Sequence, residues 1–271
     1  MKKMMMVAAL GLASPALAQV DNKALVLGLL QQGLVQGDKD YINTYVAQDY
    51  IQHNPTAMDG RAGLLGFVDF IASQPEAVSI EPVRVLSEGN LVMVQSAVEF
   101  NGPLVIFDLF RVEDGMIVEH WDGIQPVPES TLSGRGMLDG PVEIVDLDKT
   151  AENKALVLGF VDDVLVNGRA EKLAMYIGES YAQHNPQIAD GIEGLSAFMG
   201  YLAENDISFG YTRVHNVVAE GNFVFVQSEG QIAGKVNAFY DLFRVEDGRI
   251  VEHWDVVQEV PDEMPHDNGM F

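Results

Sequence analysis

The chain has 271 residues, no cysteine, and 40 acidic against 16 basic side chains, giving a formal net charge of −24 at pH 7. Without thiols it has no disulfides, no thiolate nucleophile and no thiolate metal ligand. So large an acidic excess repels phosphate backbones and anionic lipid, which argues against nucleic-acid and membrane-surface partners and describes a solvated exterior.

Residues 1–18 read as a targeting segment. Lys2 and Lys3 lead an apolar stretch from Met4 to Leu12, and Ala16-Leu17-Ala18 precedes Gln19 as a small-x-small cleavage site. This layout predicts a secretory signal peptide, too short to span a bilayer, and so a periplasmic or secreted protein with no membrane association after its removal.

Asp21/Asn22 then caps an amphipathic helix carrying Leu25, Leu29, Leu30 and Val35 at helical spacing, ending near Gly37. A second helical stretch, Lys39 to Ala47, leads into a short strand, Tyr50-Ile51-Gln52-His53, stopped by Asn54-Pro55. Gly60 to Ser73 reads as a third helix with Leu64, Phe67, Val68 and Ile71 on one face. The period then changes to that of strands: Ser79 to Leu86, Leu91 to Phe100, Val105 to Val112 and Met116 to Gln125, the last two joined around Asp114-Gly115. Helices followed by antiparallel strands predict an α+β domain, a strongly curved sheet wrapped against three helices with room for an apolar pocket.

The whole pattern then recurs. Asn22 to Gly28 returns as Asn153 to Gly159, Tyr50-Ile-Gln-His-Asn-Pro55 as Tyr181-Ala-Gln-His-Asn-Pro186, and Asp108 to Gly115 as Asp241 to Gly248. Ile117-Val-Glu-His-Trp-Asp122 returns as Ile250 to Asp255, and Gly136-Met137-Leu138 as Gly269-Met270-Phe271. A unit this long is a complete domain rather than a solenoid repeat. The expected organisation is one copy over 20–138, a linker over 139–151 and a second copy over 152–271. The duplication suggests an intramolecular pseudo-dimer, with further oligomerisation left open.

The phrases YIQHNP, the Asp-Gly a few residues on, FDLFRVEDGxIVEHWDxxQ and the terminal NGMF together resemble the SnoaL-like, polyketide cyclase-like branch of the nuclear-transport-factor-2-like superfamily. The resemblance covers nearly all of both copies. It implies a cone-shaped α+β domain, usually dimeric, with a pocket. It fixes the chemistry much less, because this fold also serves isomerases, hydrolases, dehydratases and binders.

Candidate acid/base groups repeat with the domain. His53 and His184 end the first strand, where an imidazole acts as general acid or base or simply braces the Asn-Pro turn. Asp108 and Asp241 sit mid-strand on a face whose neighbours are Ile106 and Phe110, or Phe239 and Phe243. Burial there raises a carboxyl pKa unless a donor compensates, which suits a general acid/base; the plainer reading ties sheet to helix. What shares that face depends on the hairpin. A two-residue loop sets Asp108 opposite Trp121 and brings Glu119 and Gln125 alongside. A three-residue loop over Glu113-Asp114-Gly115 sets it opposite His120 and brings in Asp122. The second option gathers Asp108, His120 and Asp122 (Asp241, His253 and Asp255), and resembles the acid/base groups of the cyclases. The first lines the pocket with Trp121 and Gln125 (Trp254 and Gln258). Arg111 and Arg244 fall on the opposite face. His215, where the first copy has Val83, marks a difference between the copies.

No HxH, HExxH or acidic calcium-type loop occurs, and neither a nucleotide-binding glycine fingerprint nor a G-x-S-x-G elbow is present, so no metal and no cofactor are expected. The resulting expectation is an exported SnoaL-like protein with apolar pockets for a small organic molecule. Catalysis, if any, would be cofactor-independent acid/base chemistry: an aldol-type cyclisation, isomerisation or lyase step. Asp108/Asp241 would move the proton, His53/His184 or His120/His253 would serve the oxygen, and Asp122/Asp255 would orient the imidazole. The alternative is a non-catalytic periplasmic ligand-binding or scaffold module.

Overall fold

The computed structural model describes residues 21–271, so the expected signal peptide lies outside the described residues. Asp21 accepts from the amides of Lys23 and Ala24 and starts α1 (Asn22–Gly28), which continues as a π-helical stretch, Leu29–Val35. Asp38 caps α2 (Lys39–Tyr45) in the same way. Strand β1 (Val46–Gln52) follows, then α3 (Gly60–Ala72) and the run β2 (Ser79–Glu88), β3 (Leu91–Glu99), β4 (Pro103–Glu113) and β5 (Met116–Pro126). The second copy repeats this as α4 (Thr150–Phe160) with its π-helical continuation Val161–Val166, α5 (Leu173–Tyr176), β6 (Ile177–Gln183), α6 (Gly191–Glu204) and β7 to β10. Those last strands are Phe209–Glu220, Phe223–Ile232, Lys235–Glu246 and Arg249–Glu259.

Each copy folds its five strands into one mixed sheet, in the orders β1-β5-β4-β3-β2 and β6-β10-β9-β8-β7. The first strand runs parallel to the last and the rest are antiparallel. With helices packed in each sheet, the chain is two tandem α+β cones. The first strand starts at Val46, four residues earlier than its polar spelling suggests, because parallel pairing of Val46 with Ile117 outweighs helix continuation.

The hairpin between β4 and β5 resolves the register in a way that neither expected option describes. Asp114 and Gly115 form a two-residue loop, both at positive φ (49° and 76°), which suits a tight right-twisted hairpin. Glu113 pairs with Met116 and Val112 with Ile117, but Arg111 pairs with Glu119, so Val118 is an extra bulged residue. From there Phe110 faces His120, and Asp108 faces Asp122 rather than His120 or Trp121. The bulge brings Ile117, His120 and Asp122 to the inner face together and leaves Glu119, Trp121 and Gly123 on the outer face. The second copy bulges at Val251, so that Asp241 faces Asp255.

The outer faces of the two sheets pack on each other. One buried cluster contains Met93, Phe107, Leu109 and Trp121 from the first copy and Phe223, Phe225, Tyr240 and Trp254 from the second. Burial of this apolar surface joins the copies. The approach is close at Gly123, where a Cβ would meet the Tyr240 ring at 2.5 Å. Pseudo-twofold ion pairs flank the seam: Lys23 with Glu220 at 2.7 Å and Lys154 with Glu88 at 2.8 Å. The segment expected as a linker is built in. Ile144 packs on the shared core, and Val145 exchanges hydrogen bonds with Asn222. Its last residues, Thr150 and Ala151, already belong to α4.

Candidate active site

The inner face of the second sheet opens on a cavity of about 420 Å³. Phe160, Leu195, Phe198, Phe209, Phe239 and Phe243 are among its apolar lining, and Asp241, His253 and Asp255 supply its carboxyl and imidazole groups. All three polar residues are buried. His253 Nε2 lies 3.0 Å from Asp241 Oδ1, and its Nδ1 lies 3.0 Å from Gln183 Oε1. That glutamine oxygen also accepts from the backbone amide of Asn185 at 2.9 Å, which fixes it as an acceptor. His253 Nδ1 therefore carries a hydrogen, and the proton on the other side is shared between Nε2 and Asp241. Burial pulls the imidazole pKa down, but the Asp241 hydrogen bond and the charges of Asp255 and Asp241 outweigh it and raise the pKa overall.

The two carboxylates are held differently. Asp241 takes His253 on one oxygen and the Tyr211 hydroxyl, 3.1 Å from both. Burial, followed by the charges of Asp241 and Asp255, pushes the Tyr211 pKa well above its ordinary value, so it stays a phenol and a donor. Asp255 has Oδ2 bound to Asn185 Nδ2 at 2.7 Å, while its Oδ1 is buried without a partner. Burial raises its pKa to about 6, against the opposing pull of His253. The first copy repeats the core of this arrangement. His120 bridges Gln52 Oε1 and Asp108 Oδ1, each at 3.0 Å, and Asn54 Nδ2 holds Asp122 at 2.7 Å. Burial likewise raises the Asp122 pKa to about 6, and its Oδ1 is unpartnered. Ile80 stands where the second copy has Tyr211.

Several residues singled out in the sequence lie elsewhere. His53 and His184 face the seam, because strand alternation puts Gln52 and Asn54 inward and the histidine between them outward. His184 binds Glu252 (2.9 Å) and the Gly136 carbonyl (2.7 Å) and stacks on Trp254; His53 binds Glu119 (2.9 Å) and the Gly269 carbonyl (3.0 Å) and stacks on Trp121. Neither histidine can serve the oxygen of a molecule in the cavity. Trp121 and Trp254 are seam core, not cavity wall, since the bulge turns them outward. Gln125 lines the second copy's cavity rather than its own, with Oε1 accepting from Val257 N; Gln258 does the same for Ile124 N across the seam. His215 lies against Glu229 and Phe271, away from the cavity. Arg111 and Arg244 pair with Glu119 and Glu252 on the outer face. Gln52/Gln183 and Asn54/Asn185 bear no titratable group to mark them, although YIQHNP and YAQHNP spell them in both copies; Tyr211 has no counterpart tyrosine in the first copy.

Asp241, His253 and Asp255, like their first-copy counterparts, bring three potential ligand atoms within 4.8 Å of one another. Such a donor set could hold a divalent cation, a grouping that no short motif encodes because it comes from two strands.

The chain is thus a tandem pair of α+β cones, each with a buried Asp-His-Asp cluster on the inner face of its sheet. The SnoaL-like domain profile matches residues 28–120 and again 157–253, more than half of the chain, and the chain belongs to that family, in two copies. No curated protein matches it in sequence. Among solved structures it is similar to wild-type IdmH of Streptomyces antibioticus, a provisional polyketide cyclase, at 24% identity and TM-score 0.35, over 39% of this chain and 92% of that one. A provisional ketosteroid isomerase of Kribbella flavida aligns at 21% identity and TM-score 0.36, over 45% and 90%. An epoxide hydrolase of the LEH-like type from M. tuberculosis aligns at 20% and 0.34, over 41% and 85%. No described helix is long and apolar enough to cross a membrane.

Proposed function

We propose that this is an exported tandem SnoaL-like protein whose second copy binds a small organic carbonyl compound and moves protons on it without a cofactor. The observation that carries the reading is the unpartnered Oδ1 of Asp255, in a cavity wall and on a carboxyl whose pKa is pushed up to about 6. A carboxylate of that pKa is poised to take a proton from carbon and return it near neutral pH. Asn185 holds the other oxygen, which leaves Oδ1 as the one without a protein partner. His253, held between Gln183 and Asp241, is a fixed group beside Asp255 whose charge opposes the rise in that carboxyl's pKa. The roles of the acids are thereby exchanged relative to the sequence expectation: Asp255 moves the proton and Asp241 positions the imidazole. In the cycle, Asp255 accepts the α-hydrogen as the carbonyl becomes an enolate. It returns that proton to a different carbon in an isomerisation, or to the alkoxide after the enolate carbon has attacked a second carbonyl. Export rests on the layout of residues 1–18.

The test is proton NMR in D2O of 2-tetralone and related aryl ketones. Protein-dependent exchange of the α-hydrogens is expected, falling by about 10²–10³ in Asp255→Asn. Binding of these ketones with no protein-dependent exchange would replace catalysis by plain ligand binding.

A further inference from the structure

Along β9 the cavity-lining residues are Phe243, Asp241, Phe239 and Asn237, and β10 faces them with His253, Asp255 and Val257. Moving away from the acidic pair, the wall is first the apolar belt of Phe239 opposite Val257, then Asn237. Four residues of strand separate Asp241 from Asn237, roughly 13 Å at about 3.3 Å per residue. Asn237 is buried, and its Nδ2 donates to the Lys235 carbonyl at 2.9 Å. Its Oδ1 remains as an acceptor that makes no hydrogen bond among the described residues. Beside Val257 the first copy inserts Gln125, whose Oε1 accepts from Val257 N at 3.3 Å and whose Nε2 is left as a donor. The first copy's own site has Gln258 beside Ile124 but lacks the acceptor, because Leu104 and Ile106 stand at the positions of Asn237 and Phe239.

We infer that the second cavity is a two-ended site for an elongated, largely apolar molecule bearing an oxygen function at each end, and that the first copy completes its far end. The near oxygen is the reacting carbonyl or enol at Asp241, His253 and Asp255, which rests on the function proposed above. The far group is a hydroxyl, because it both donates to Asn237 Oδ1 and accepts from Gln125 Nε2. The belt of Phe239 and Val257 takes the apolar body between them. A buried acceptor left without its donor is costly, so a ligand lacking the far hydroxyl is selected against.

Calorimetry of the intact tandem protein with 4-hydroxybiphenyl and 4,4′-dihydroxybiphenyl tests this. The diol is expected to bind about tenfold more tightly, the worth of one well-made hydrogen bond to an otherwise unsatisfied group. Asn237→Leu, which copies the first domain's residue, and Gln125→Glu, which keeps the acceptor for Val257 N but removes the donor, each bring the ratio toward one. Thermal melts identify any variant that does not fold, and either variant alone suffices. Equal affinities in the unmodified protein, a ratio unchanged in both variants, or no binding of either probe overturns the inference. The near end is read separately through Asp255→Asn. If that variant leaves 4-hydroxybiphenyl affinity and its pH dependence unchanged while the diol preference persists, the acid/base reading fails and the far site stands.

Discussion

His184 of the second copy holds the Gly136 carbonyl of the first at 2.7 Å, and its other ring nitrogen meets Glu252 at 2.9 Å. Both nitrogens face acceptor atoms, so the ring is held from two sides. His53 makes the mirror arrangement with Gly269 and Glu119. Each copy's tail is thus pinned by the other copy's histidine, with a tryptophan stacked beneath. His184→Phe keeps a ring on Trp254 but loses both bonds. We expect it to lower stability by about 2–4 kcal/mol, since the bond to the Glu252 carboxylate contributes ~1.5–3 kcal/mol and the bond to the Gly136 carbonyl ~0.5–1.5 kcal/mol. Urea denaturation followed by tryptophan fluorescence measures this, and a loss below 0.5 kcal/mol would contradict the clamp.

Stability should fall as pH rises from about 4 to 6. Asp122 and Asp255 keep protons up to about pH 6 in the folded protein that the unfolded chain releases near 3.8, so the folded state binds more protons across that window. Each shift of about two units corresponds to roughly 2–3 kcal/mol. The raised pKa values of His120 and His253 continue the fall, because their stabilising contribution is present below the unfolded value and lost as pH passes the folded one. Glu119 and Glu252 are lowered overall, the hydrogen bonds from His53 or His184 and from Arg111 or Arg244 outweighing burial, and their contribution is lost on the acid side. An optimum near pH 4 follows, where the fall on the acid side meets the fall on the alkaline side, and melting curves from pH 3 to 9 test it. Asp255→Asn should raise the melting temperature at pH 8 more than at pH 5.

Tyr211→Phe separates the two copies. It removes the hydroxyl that binds both oxygens of Asp241 while keeping the ring packed on Phe239. We expect a cost of about 1–2 kcal/mol in stability, the worth of a buried bond to a carboxylate. Because Asp241 then leans more on His253, the imidazole pKa should rise. NMR titration of the ring protons reads that shift; an unchanged His253 titration would mean that Tyr211 does not tune the pair.

Export predicts a mature N-terminus at Gln19. Intact-mass measurement on the periplasmic fraction of an expressing Gram-negative cell would show a chain beginning there. A cytoplasmic protein starting at Met1 would remove export from the proposal.

The order of elements was legible because apolar spacing switches from helical to alternating near Ser79, and the letter-for-letter repeat announced two domains. The Asp-Gly hairpin was legible from its turn chemistry. Its register was not, because Val118 and Val251, the bulged residues, are ordinary strand valines with nothing local to mark them. In YIQHNP the alternation that sends Gln52 and Asn54 inward necessarily sends His53 outward, so the titratable residue of the phrase is the one that misses the cavity. Gln125 could not have been placed, since its cavity belongs to a strand more than a hundred residues away.

The seam between the copies has a consequence for how such a site can change. In a homodimer of one-copy chains every substitution falls on both sides of the twofold axis, so a residue useful in one pocket is imposed on the other. Joining the copies through a segment packed into the seam, with each tail locked under the opposite histidine, keeps the paired architecture while freeing the two halves to mutate independently. Tyr211 against Ile80 and Asn237 against Leu104 are such one-sided changes. The glutamines that cross the seam, Gln125 and Gln258, stay matched, while the residues they stand beside have diverged.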